Sequence, residues 1–195
     1  MLPEIVPKLQ TNRFALKVLS PDDLPDFFHF VETEPELWQY ALTPCNDRTS
    51  MQAYVDSAIE GMNLGNTLPF VVVNRQTGKL VGSTRLYEFF PHLGTTLLGY
   101  TWYSKHEQGN GINTHCKFLL LNYVFETLGF ERVELRADTR NARSIAAMRK
   151  IGFIEEGILR SHLPVGDGTR RDSIVFSMLK DEWKLSKVIL EQRLV

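Results

Sequence analysis

A chain of 195 residues is enough for one compact domain and short for two. Its 43% apolar and 23% charged residues are the balance of an ordinary soluble globular protein, and a formal net charge of -1 makes no electrostatic case for nucleic acid or an anionic membrane. Cys45 and Cys116 are too few for a disulfide framework or zinc site, and the five histidines show no metal-ligand spacing, so no metal is expected.

The opening run MLPEIVPKLQTNRFALKV lacks the apolar core and cleavage site of a signal peptide, and no apolar run approaches a membrane span. A cytoplasmic location is expected. Phe14, Leu16 and Val18 alternate with Arg13, Ala15 and Lys17 and predict a first strand. Ser20-Pro21-Asp22-Asp23 then signals a helix start, with a capping serine, a first-turn proline and acids opposing the helix dipole; that helix runs to about Val31. Thr49-Ser50 opens a second helix with Met51, Tyr54, Val55, Ala58, Ile59 and Met62 on one face.

Segments 68–73 and 80–90 around the turn 74–79 predict a hairpin, and 95–103 a third strand. A polar run holding Gly109 and Gly111 follows. A helix beginning near Asn113 then carries Lys117, Leu120, Leu121, Val124 and Leu128, with Gly129 as its stop. Strand 132–137, a helix from Asn141 to Ile151 closed by Gly152, strands near 153–157 and 173–179 with an Asp167-Gly168 turn between them, and an amphipathic C-terminal helix complete the pattern. The expected fold is α/β (α+β): one domain over 1–195, with a mixed, mostly antiparallel central sheet and helices on both faces.

The run Gln108, Gly109, Asn110, Gly111, Ile112, Asn113, Thr114 stands where a helix must begin. A helix N-terminus presents backbone N–H groups without intrahelical partners and a partial positive charge, and glycines ahead of it allow a phosphate to approach the main chain. These are the properties of a pyrophosphate cradle. The dinucleotide fingerprint G-x-G-x-x-G fails at Thr114, and the P-loop pattern is absent.

With its surroundings, this turn resembles the GNAT acyltransferase superfamily, and within it the RimJ/RimL-type N-acetyltransferases. Gln108 and Gly111 match that family's Q/R-x-x-G-x-G/A signature; Asn141, Arg143, Ser144, Lys150, Gly152 and Phe153 match its N-x-R-S/A…K-x-G-F segment. The likeness also takes in 99–103 and 181–183, and so covers about residues 12–183. Asn113 departs from the final Gly/Ala, and Met148 stands where many relatives carry an acidic tyrosine.

The resemblance implies acetyl-CoA as donor and a primary amine, of a protein N-terminus or a small molecule, as acceptor. It also implies a gap between two splayed strands for the pantetheine arm. Those strands are expected to be 80–90 and 95–103, with Gly99 as the irregular residue and Trp102 and Tyr103 beside the opening.

Transfer requires a deprotonated amine, a donor to the oxyanion and stabilisation of the thiolate. The resemblance gives the last role to Ser144 as a hydrogen-bond donor, with simple support of the helix start as the alternative; Asn141 would fix the turn and touch the cofactor arm, with simple helix capping as the alternative. Glu88, His92, His106 and Glu107 lie near the expected strand ends as possible general bases, Glu88 being the choice and a water the alternative. Lys117 is placed to reach a phosphate or to form an exposed salt bridge. A homodimer is expected, and a non-catalytic acyl-CoA-binding module is the competing reading.

Overall fold

The computed structural model describes residues 7–165 and 168–194, so Asp167 of the expected turn lies outside the described residues. Strands β1 (Leu9–Gln10), β2 (Phe14–Val18), β3 (Thr67–Asn74), β4 (Leu80–Phe90), β5 (Thr95–Tyr103), β6 (Arg132–Asp138), β7 (Ile154–Pro164) and β8 (Arg170–Leu179) form one sheet in the order β1-β2-β3-β4-β5-β6-β8-β7. Every neighbouring pair is antiparallel except β5 and β6, which are parallel. This is the mixed, mostly antiparallel sheet expected. Chain connectivity explains the exception, since helix α3 (Ile112–Asn122) carries the chain from β5 back across the sheet to β6.

Helices α1 (Leu24–Thr33) and α2 (Arg48–Asn63) cover one face of the sheet. Their Phe27, Phe30, Met51, Tyr54 and Val55 pack with Val71 and Trp102. On the other face α3, α4 (Ala142–Ile151) and α5 (Lys180–Glu191) bury Ile112, Leu120, Met148, Ile151 and Trp183 against Phe70, Leu86, Leu98, Val133 and Phe176. Adjacent strand residues feed opposite cores, as in Val71 and Phe70, which is the period-2 alternation of a sheet covered twice.

Two elements differ from the sequence expectation for local reasons. β1 has two residues, too few to show a period. β7 extends well past the expected 153–157, yet most of its side chains are exposed, because it is an edge strand whose residues were never required to alternate. Helix α3 runs on through a π-turn over Tyr123–Thr127, where Leu128 N–H reaches Tyr123 O at 3.0 Å, and Gly129 ends it as expected.

Candidate active site

The site begins where the sheet opens. β5 follows β4 throughout, from Tyr103 opposite Gly82 to Thr95 opposite Phe90. It meets β6 only through Thr95, Thr96 and Leu97, after which β6 runs on with β8 as far as Asp138. The gap therefore lies between β5 and β6, which corrects the expectation of a gap between 80–90 and 95–103. The turn at 91–94 locks β4 and β5 into register, whereas a strand pair joined through a helix has no such clamp.

A bulge lies at the opening. Ser83 pairs with Trp102 and Arg85 with Gly99, so β5 carries an extra residue there, and Tyr100 sits at φ 50° in the left-handed region. Tyr100, rather than Gly99, is the irregular residue. Gly99 serves close approach instead, because a Cβ there would come within 2.9 Å of Tyr87 Cε1.

The glycine turn lies at the head of α3. Gly111 is the residue before the helix at φ 95°, a conformation that costs an L-residue roughly 1–2 kcal/mol. Within the turn, Gln108 N–H reaches Lys105 O, Ile112 N–H reaches Asn110 Oδ1 and Thr114 N–H reaches Gly111 O. The amides of Gly109, Asn110, Gly111 and Asn113 make no hydrogen bond to another described residue. A Cβ on Gly109 would meet nothing within 4 Å, so the main chain is open on that side. Ile112 and Thr114 are buried and anchor the turn from below.

Four side chains brace the turn. Gln108 donates to Tyr103 O at 2.8 Å and accepts from Arg143, tying the start of α4 to the start of α3. Glu107 is buried, with one oxygen taken by Asn74 Nδ2 at 2.7 Å and the other by Asn110 Nδ2, so it is a fastener and not a free base. Arg13 donates to Asn110 O at 2.8 Å. Asn113 Oδ1 accepts from the Tyr103 hydroxyl at 3.3 Å, which gives this departure from Gly/Ala a structural use. Burial pushes the Tyr103 phenol well up and the Cys116 thiol up to about 12, so neither ionises near neutrality.

Asn141 caps α4, its Oδ1 accepting Ser144 N–H at 3.0 Å. The cap uses the serine's amide and leaves its half-buried hydroxyl without a hydrogen bond to a described residue. Met148 is buried in the α3–α5 core. The Trp102 indole is also core, set between Phe27, Phe30 and Trp38 with ring centroids 5.0–5.3 Å away, so only its main chain faces the strand. Glu88 is exposed, at φ 45° on a second bulge between Tyr87 and Phe90. His92 and His106 are exposed at the surface.

On the α2 side of the sheet, Glu60, Thr67, Arg85, Tyr87, Glu88 and Tyr100 line a cleft of about 500 Å³, within the size range of small-molecule sites. It brings Glu88 together with Arg85 and Tyr87, which sequence reasoning missed. The available signal was a charge, Arg85, in the middle of a strand, between Thr84 and Leu86. Lys117 is also corrected. It is 4% exposed, forms no salt bridge with a described residue, and donates to Thr101 Oγ1 at 2.9 Å, beyond which Thr84 Oγ1 lies at 2.8 Å. Burial lowers its pKa to about 7.

The sheet thus opens beside the N-termini of two helices, with amides at the first that bond no other described residue. The chain belongs to the GNAT acetyltransferase family: residues 13–154 match the family model described as "Acetyltransferase (GNAT) domain".

The chain is 36% identical over 110 residues to the Bacillus subtilis protein named "Putative ribosomal N-acetyltransferase YdaF", a match that spans 56% of this chain and 59% of that relative. It is 26% identical over 180 residues to the Bacillus licheniformis "Uncharacterized N-acetyltransferase p20", covering 90% and 97% of the two chains. The fold superposes on a GCN5-related N-acetyltransferase from Brucella melitensis with a TM-score of 0.89 at 26% identity, over 99% of this chain and 88% of that one. It also superposes on Mycobacterium smegmatis RimJ in complex with CoA-disulfide with a TM-score of 0.76 at 23% identity, over 91% and 87%.

Proposed function

We propose that this protein transfers the acetyl group of acetyl-CoA directly to a primary amine within a ternary complex. The carrying observation is the set of unpaired amides at Gly109, Asn110, Gly111 and Asn113, beside the place where β5 leaves β6. Acetyl-CoA supplies an activated thioester; the chain supplies position and charge. The turn amides and the α3 dipole fit a diphosphate. The unpaired edge of β5 beyond Leu97 offers backbone groups to an extended amide-bearing arm and an N–H to the developing oxyanion.

Ser144, at the first turn of α4, is assigned as donor to the departing sulfur. Its hydroxyl is free of the cap, while the Met148 side chain is buried and carries no proton to give. Glu88 is assigned as the base that receives the amine's proton, directly or through water, because it lines the cleft on the opposite side of the sheet. The acceptor is an amine, and YdaF's printed name makes a ribosomal protein's α-amine the first one to try.

Isothermal titration with coenzyme A, followed by acetyl transfer to peptide α-amines and small amines, tests the reading. Binding with turnover that falls about a hundred- to ten-thousandfold in Glu88→Gln, the range of general-base contributions, supports it. No coenzyme A binding would sink it, and binding without any transfer would leave the non-catalytic module in its place.

A further inference from the structure

Arg85 is a buried charge that no described residue compensates by an ion pair or hydrogen bond. It is 5% exposed, its guanidinium lies 4.1 Å from the Tyr100 ring centroid and 5.0 Å from that of Tyr54, and its Nε and Nη2 are buried without a hydrogen-bond partner. Among the described residues no carboxylate forms an ion pair with it. The two aromatic faces supply cation–π attraction but accept no in-plane N–H. A permanently charged group buried in this way is costly, and a hydrophobic side chain of similar size would fill the space without that cost.

The surroundings say what would compensate it. Arg85 lines the cleft, where Glu60 and Glu88 are also found, neither of them bonded to it. The guanidinium fork matches a carboxylate in two-point geometry, and the two glutamates suit an ammonium group. Arg85 and Leu86 point to opposite faces of β4, and Leu86 lies in the α3–α5 core, so the guanidinium is across the sheet from the α3 side. An anion here therefore belongs to the acceptor and not to the coenzyme.

We propose that Arg85 is the anion subsite of the acceptor cleft, and that the preferred acceptor carries a carboxylate together with its amine. This rests on the acetyltransferase reading for the word acceptor, while the anion site itself can be tested without turnover. The carboxylate has two possible sources, the α-carboxylate of a free amino acid or the side chain of an acidic residue next to a peptide's N-terminal amine.

The experiment is equilibrium titration of the intact protein, with and without coenzyme A, using two matched pairs: alanine against alaninamide, and the peptide amides Ala-Asp-Ala against Ala-Asn-Ala. The expected result is that the charged member of one pair binds about tenfold or more tightly, as a charge-assisted hydrogen bond in a buried site allows. That ratio should fall to near one in Arg85→Met and to an intermediate value in Arg85→Lys, which keeps charge but loses the fork and serves if the Met variant does not fold. The pair that discriminates identifies the source. Equal binding within both pairs, or a ratio that survives Arg85→Met, would overturn the proposal. Coenzyme A affinity, measured alone and expected to be unchanged in Arg85→Met, reports separately on the acetyltransferase reading.

Discussion

Replacing Lys117 with Met tests whether a buried amine is held neutral inside this fold. In the unfolded chain Lys117 takes up its proton below the ordinary value of 10.5; in the folded chain, where burial opposes the charge, only below about 7. Between those values the unfolded state binds more protons, so the wild type loses stability as pH falls from about 10.5 to about 7 and changes no further below that. At ~1.4 kcal/mol per tenfold change in proton activity, the full loss is ~5 kcal/mol.

Lys117→Met removes this cost at nearly constant side-chain length and gives up one hydrogen bond to Thr101, worth ~1 kcal/mol. The variant should thus be more stable than wild type by roughly 2–4 kcal/mol near pH 7, and about equal to it or slightly weaker at pH 10. Urea denaturation followed by far-UV circular dichroism, on both proteins at several values from pH 6 to 10, measures the difference directly. A difference that does not change with pH would refute the reasoning, since it would mean that Lys117 keeps its charge in the fold.

Two further changes address the proposed phosphate cradle and the start of α4. Gly111→Ala meets only ordinary contacts, Arg13 Nη1 at 3.7 Å and His115 Cδ2 at 3.9 Å, so its effect comes from φ 95°. It should lower stability by about 1–2 kcal/mol and weaken coenzyme A in titration calorimetry, and unchanged affinity would remove Gly111 from the site. Ser144→Ala should slow turnover while leaving the melting temperature and coenzyme A binding near wild type, because Asn141 bonds the serine's amide; Asn141→Ala should cost about 1 kcal/mol of stability. If Ser144→Ala destabilises the protein as much as Asn141→Ala, its hydroxyl is a structural group.

Local chemistry made much of this protein legible before its fold was known. Alternation marked Phe14–Val18, and the apolar run 68–73 followed by the turn 74–79 marked the β3–β4 hairpin, because a strand covered on both faces buries consecutive side chains. The capping role of Asn141 and the stops at Gly129 and Gly152 could be read because helix ends depend on one or two residues. The turn 108–114 could be read for the same reason: free amides at a helix start are a property of the backbone over a few residues.

Contacts between distant segments were not legible in this way. The gap moved from between β4 and β5 to between β5 and β6, because strand pairing is settled by which neighbour supplies a continuous ladder. Lys117 reads from sequence as a phosphate contact or an exposed salt bridge, and Arg85 carries no sequence-based assignment. Burial is decided by elements from elsewhere in the chain, Thr101 and Thr84 for the lysine and Tyr54 of α2 for the arginine. Sequence determined what each segment could offer a ligand, whereas only the packing of the elements decided which offers face one another across the sheet.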